Sequence, residues 1–189
     1  MSPPARLAWL AVALVLSGCA TAQLSTPQAS LDNIQAIRAA SLPAMNVGAF
    51  TPGPGAPTDM DKAILIRAGA DSAPEGSFAT YLGDTLRAEL KGAGKYDPAS
   101  PLMVSGVITD THLVSEVGAP NARLAARFTL SRGGRPVFTK ELTVSDQWEF
   151  EYVGAVAIPD AFNHYAGLFP KLVGALLADP DFLAAVRAG

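Results

Sequence analysis

Apolar side chains recur every fourth residue through Phe78, Leu82, Leu86 and Leu90, with Tyr81 and Ala93 beside that row. Asp84, Arg87, Glu89 and Lys91 fall elsewhere on the wheel. This spacing predicts an amphipathic helix over about 78–93 with one buried face. Ser77 can cap its start, and Gly92 and Gly94 can end it. A second helical pattern begins near Ile158, with Phe162, Tyr165, Phe169, Leu172, Val173, Leu176 and Leu177 on a broad apolar face. Pro159 suits its first turn and Asp160 its positive end. Pro170 removes a backbone donor and crowds the preceding turn, so a kink or break is expected there. Asp179-Pro180 stops this helix and opens a short last one over 181–187. A further short helix, with Leu31, Ile34 and Ile37 at helical spacing, starts after the N-cap candidate Ser30.

Between the helices the period changes. Segments 44–50 and 62–67 read as strands, the second with a continuous apolar centre, Ala63-Ile64-Leu65-Ile66. Thr51 to Pro57, with three prolines and two glycines, and Gly69 to Ser77 read as loops. Three long strands follow, over 102–117, 122–131 and 135–150, joined by Val117–Asn121 and by Arg132-Gly133-Gly134. Leu124, Ala126, Phe128 and Leu130 share one strand face; Phe138, Leu142 and Val144 share another. A two-residue Gly133-Gly134 loop would pair Phe128 with Thr139 and set those faces against each other. A slip of one residue turns every side chain over. An odd-numbered loop, pairing Phe128 with Phe138, Leu124 with Leu142 and Ala122 with Val144, is therefore expected, with Glu141 opposite Ala125 between Arg123 and Arg127. The order predicts an α+β fold: a mostly antiparallel sheet of about five strands with two main helices packed on one face.

The N-terminus follows a different pattern. Arg6 precedes ten unbroken apolar residues, Leu7 to Leu16, and then Ser17, Gly18 and Cys19. A basic start, an apolar run and small residues before a cut are the parts of a secretory signal. Ten helical residues reach about 15 Å, half the roughly 30 Å hydrocarbon core, too short to span it. Leu16-Ser17-Gly18-Cys19 resembles the lipobox of bacterial lipoproteins. The resemblance implies cleavage before Cys19 and lipidation of that residue. Cys19 is the only cysteine, so no internal disulfide competes for it. Ala20 follows where enterobacterial lipoproteins retained in the inner membrane carry Asp; the resemblance implies the outer membrane, on its periplasmic side. Residues 1–18 are then signal peptide, 19–30 a lipidated tether, and 31–189 a single periplasmic domain. Three acyl chains exceed the two signals that stable anchoring needs.

Charge narrows the partners. Without Arg6, 13 Lys and Arg face 17 Asp and Glu, a formal charge of −4. No basic excess points to nucleic acid. Chemistry is sparse. His112 and His164 lack metal-ligand spacing and read as structural histidines. Gly92-Ala93-Gly94-Lys95 fails the phosphate-loop pattern, with Glu89 where its first glycine belongs and Tyr96 where Ser or Thr belongs. Asp59 and Asp61 lack calcium-loop spacing, and Asp179 and Asp181 read as helix-boundary residues. No catalytic residue, metal site or cofactor is assigned. The most suggestive feature is the alternation Trp148, Phe150, Tyr152, which either extends the core or forms a partner surface at the end of the sheet. Gly154 to Ile158 is unusually apolar for a connection.

The run Phe78-x-x-Tyr81-Leu82 through Leu86, Leu90 and Gly94-Lys95-Tyr96, then Val104-Ser105-Gly106-Val107-Ile108, resembles a module of small periplasmic α/β envelope lipoproteins. These include auxiliary lipoproteins of ABC-type lipid transporters, the lipopolysaccharide-assembly lipoprotein and the curli-secretion lipoprotein. The resemblance covers about 45–178 and carries over no binding residues. It implies a non-enzymatic accessory or binding component of an envelope transport or assembly system, with a protein or lipid partner. The alternative is a periplasmic hydrolase acting on cell wall or lipid.

Overall fold

The computed structural model describes residues 21–53, 61–66, 69–72, 76–114 and 118–188. In chain order the elements are β1 (Thr21–Gln23), α1 (Leu31–Ala39), β2 (Asn46–Pro52), β3 (Ala63–Ile66), β4 (Gly69–Ser72), α2 (Phe78–Gly92), β5 (Leu102–Val114), β6 (Asn121–Arg132), β7 (Arg135–Gln147), α3 (Gly154–Ala178) and α4 (Pro180–Arg187). The fold is α+β. A four-stranded mixed sheet, ordered β2-β5-β6-β7, carries the core, and β1-β4-β3 form a smaller sheet.

Two expectations about the sheet need correction. β2, the strand expected over 44–50, pairs with β5 in parallel, because α2 carries the chain back along the sheet before β5 begins. The strand at 63–66 belongs to the small sheet, paired antiparallel with β4, which occupies part of the expected 69–77 loop.

The helix faces match the apolar spacing. Phe78, Leu82, Leu86 and Leu90 of α2 are buried, as are Phe162, Tyr165, Phe169, Leu172, Val173, Leu176 and Leu177 of α3. Alternate residues of β6 from Ala122 to Leu130 are buried opposite them. Ser30 caps α1 through Asn33 N, and Ser77 caps α2 through Thr80 N. Phe50 of β2 closes the core edge-on to Phe128, with ring centroids 6.1 Å apart. It fits because two glycines leave it room. A Cβ on Gly106 would lie 2.4 Å from Phe50 Cε1, and one on Gly83 would lie 2.8 Å from Cδ2.

The β6–β7 hairpin reaches the expected facing of apolar sides by another route. Gly133 and Gly134 form a two-residue turn with φ of 55° and 81°, the geometry of a type I′ hairpin. A bulge then inserts one residue into β7, shifting the register between Leu130 and Ser131. Leu124 meets Val144, Ala126 meets Leu142 and Leu130 meets Phe138. Phe128 therefore faces Lys140, and Glu141 faces Arg127, not Ala125. Pro136 sits at this bulge on an edge strand, where its missing donor is tolerated.

α3 is longer than its pattern predicts. It begins at Gly154, so the apolar 154–158 run is its first turn, and it continues through Pro159 and Pro170 to Ala178. Each proline removes one helical hydrogen bond, and burial of the apolar face outweighs that loss. Asp179 ends α3 and caps α4 through Asp181 N and Phe182 N. Lys140, on the inner side of β7, reaches the same corner. Its Nζ lies 2.7 Å from Asp179 Oδ2 and 2.8 Å from Asp181 Oδ2.

The segment expected to be a free tether runs along the domain. Leu24 is buried, Ser25 O accepts from Tyr81 OH at 3.1 Å, and Ser30 N donates to Glu89 Oε2 at 2.9 Å. Cys19 and the lipobox lie outside the described residues. Among the described residues, no helix is long and apolar enough to cross a membrane.

Candidate functional site

Two polar clusters stand out, one inside the helical layer and one at the end of the sheet. The inner one is built on Glu89. Glu89, expected away from the buried row, lies on it: it stands seven residues after Leu82 and three after Leu86, on the apolar face of α2. It is fully buried. Its Oε1 accepts from Asn33 Nδ2 at 2.9 Å, and its Oε2 from Ser30 N. Asn33 Nδ2 also donates to Pro170 O at 3.0 Å. Gly174 makes room for this: a Cβ there would lie 2.7 Å from Asn33 Oδ1. The cluster ties α1, α2 and α3 together. Its role is structural, since its donors are occupied within the protein.

The outer cluster forms where β7 runs out at Gln147. Asp146 occupies the last inward-facing position of the strand, and α3 brings His164 over it. His164 Nδ1 lies 2.8 Å from Asp146 Oδ2, and Nε2 lies 3.8 Å from Asp160 Oδ2. An ionised carboxylate only accepts, so Nδ1–H is the donor. That hydrogen bond from His164 holds the Asp146 carboxyl below its ordinary value, against the opposing effect of burial. Trp148 lies flat on the imidazole, with centroids 4.3 Å apart and planes 4° from parallel. The histidine is thus held through Nδ1 and one ring face, while Nε2 faces Asp160 beyond hydrogen-bond distance.

His112 is placed differently. It is exposed and lines a shallow cavity of about 190 Å³ with Asn121, Ala122, Arg123, Ser145, Asp146 and Gln147. Arg123 already pairs with Asp110 at 2.6 Å. Among the described residues, no Ser or Thr hydroxyl hydrogen-bonds to either histidine. Nor do any three His, Cys, Asp or Glu side chains come together as metal ligands would.

The aromatic alternation does not form one stripe, because the strand ends before it. Trp148 is half-buried in its stack, with its backbone N–H donating to Pro120 O at 3.3 Å. Phe150 is half-buried and meets Tyr152 edge-on, with centroids 5.1 Å apart. Tyr152 is 83% exposed, and Val153 and Val156 beside it are 60% and 53% exposed. The exposed surface is therefore Tyr152, Val153 and Val156. Val156 was visible in the sequence only as part of an oddly apolar connection, and Val153 was not singled out. The Asp146–His164 pair, 18 residues apart, had no local signal.

No family model matches this chain, and no curated protein matches it in sequence. Its fold is similar to that of a DUF330-family protein from Xanthomonas campestris, at 12% identity and a TM-score of 0.53, covering 83% of this chain and 94% of the other. The likeness is one of fold alone. Weaker similarities are to a candidate lipoprotein from Caulobacter crescentus (13% identity, TM-score 0.44, 57% and 85% of the two chains). A minor lipoprotein from Acinetobacter baumannii is also similar (10% identity, TM-score 0.39, 73% and 94%).

Proposed function

We propose that this chain is an envelope lipoprotein, anchored through Cys19 on the periplasmic side of the outer membrane. There it serves as a non-enzymatic accessory or binding component of a transport or assembly system. The observation that carries the reading is Leu16-Ser17-Gly18-Cys19, set directly after ten apolar residues and holding the chain's only cysteine. The exposed Tyr152, Val153 and Val156 supply a contact surface on the domain. Metabolic palmitate labelling tests the anchor. The wild-type chain should incorporate label, and Cys19→Ser should remain uncleaved and unlabelled. Labelling of the variant at the wild-type level would remove the basis of the proposal.

One observation favours a second reading, a periplasmic hydrolase: His164 hydrogen-bonds to Asp146, the partner that orients a general base. Against it, His164 Nε2 faces Asp160, so no nitrogen is directed at a nucleophile. A folded chain carrying His112→Asn and His164→Asn should rescue a deletion phenotype, whereas Tyr152→Ala should impair rescue. The opposite pair of results favours the hydrolase.

A further inference from the structure

The hydrogen bonds and strand pairings fix which end of the domain faces its anchor. β2 and β5 run parallel, so their C-terminal ends lie together. β6 starts at that end, where Val114 meets Asn121, and β7 finishes there, where Asn121 meets Gln147. α2 also starts there, since it runs back along β2: Gly83 packs on Phe50, Met45 N donates to Lys95 O beyond the last turn, and Asp61 accepts from Phe78 N and Ala79 N at the first. α3 runs beside α2 in the same direction, with Phe78 against Tyr165 and Tyr81 against Phe169. The part of α3 before Tyr165 therefore extends beyond the start of α2, by roughly 16 Å at helical rise.

The N-terminal segment leaves at this same end. Traced backwards, Ser30 lies on Glu89 and Ser25 on Tyr81, so the chain climbs α2 toward its first residue. Gln23 then pairs with Ser72, and Ser72 with Ala63, two residues after Asp61. Cys19 is two residues before Thr21, a reach of at most about 7 Å. A lipid on Cys19 thus brings the bilayer to the end of the domain that carries the start of α3.

That end is also where apolar surface is exposed. Of the five exposed large hydrophobic residues among those described, three lie within Tyr152–Val156. Phe150 backs Tyr152. We propose that Tyr152, Val153 and Val156 dip into the interfacial layer of the bilayer that holds the anchor, as a second, protein-borne membrane contact. The inference rests on the Cys19 reading. Tyrosine suits this layer, with an apolar ring and a polar tip. The exposed Glu149 and Glu151 flank the tip, and no Lys or Arg lies between Gln147 and Pro170. The surface therefore fits neutral, zwitterionic headgroups and gains nothing from anionic lipid. One contact beside the anchor fixes the orientation of the domain, whereas the anchor alone leaves it free to swivel.

The test uses the full chain with Tyr152→Trp, reconstituted in phosphatidylcholine vesicles brominated on their acyl chains. Leu31→Trp serves as the comparison, because Leu31 is 74% exposed and begins α1 beside Ser30, at the Glu89 end of α2. The emission added by Tyr152→Trp should fall about twofold or more, as interfacial depth predicts, and that added by Leu31→Trp should not. Quenching at both positions or at neither overturns the proposal, and the latter would assign the tip to a protein partner. Palmitate incorporation is read in parallel. Incorporation without quenching at 152 rejects the tip and leaves the anchor standing. If no palmitate enters, the anchor reading fails, and quenching of the unacylated chain mixed with the vesicles still decides the tip. Adding anionic lipid should not deepen the quenching; a marked increase would overturn the headgroup assignment.

Discussion

Glu89 and Asp146 are both hydrogen-bonded carboxylates that join a strand or helix to a neighbouring helix, yet their surroundings differ. Glu89 has no exposed surface and holds two neutral donors from the N-terminal segment. The Asp146 side chain keeps 35% of its surface exposed, and its partner His164 keeps 31%. Removing a donor from Glu89 leaves a polar group with no access to water, which costs its full desolvation. Removing His164 lets water take its place. The comparison predicts that similar hydrogen bonds carry different weights at the two sites, and that burial sets the difference.

The largest losses should come from the apolar interior around the inner cluster. Phe128→Ala should destabilise by about 3–5 kcal/mol and Leu86→Ala by about 2–5 kcal/mol, since both side chains are almost wholly buried. Chemical denaturation measures both, and values under about 1 kcal/mol would mean that the interior is not packed as described. Next comes Asn33→Ala, which orphans Glu89 Oε1 and should cost about 1–3 kcal/mol. If it costs no more than a surface substitution, the contrast between the clusters fails.

The outer cluster should respond more weakly. His164→Asn should cost at most about 1 kcal/mol, because the pair is screened by solvent. Its pH signature is more telling. The folded-state pKa of Asp146 lies below its unfolded value, so its contribution is present above the ordinary carboxylate range and lost as pH falls through the folded value. Asp179 behaves likewise. Burial pushes its carboxyl up, but the Lys140 hydrogen bond and the N–H groups of Phe182 and Asp181 together bring it down. Thermal unfolding across that acid range should show a shallower fall for Asp146→Asn than for the wild type. An unchanged slope would remove Asp146 from the account. Lys140 works in the opposite direction. Its hydrogen bonds to Asp179 and Asp181 raise its pKa, so its contribution holds below the ordinary lysine value and is lost as pH rises through the folded one.

Much of the fold was legible because burial imposes a period on the chain. The apolar rows of α2 and α3 and the alternate residues of β6 could be identified by position, as could the caps at Ser30, Ser77 and Asp179. The facing of β6 and β7 was legible as a rule about sides. The bulge that satisfies it was not, because lengthening the turn and bulging the strand bring the same sides together. The direction of β2 was not legible either, since a strand's pattern is the same read parallel or antiparallel.

The candidate site divides in the same way. Local sequence by itself determined the lone cysteine and its lipobox-like setting, the scarcity of catalytic motifs and the cluster of apolar residues around 150–158, because each is a matter of composition or short spacing. Only the tertiary structure decided that Asn33 meets Glu89, that His164 meets Asp146, and that β7 stops before Trp148. It also decided that Tyr152, Val153 and Val156 are exposed at the end where the N-terminal segment departs. These depend on which elements pack together. Packing brings residues into contact over separations that no local periodicity encodes, such as the 56 between Asn33 and Glu89.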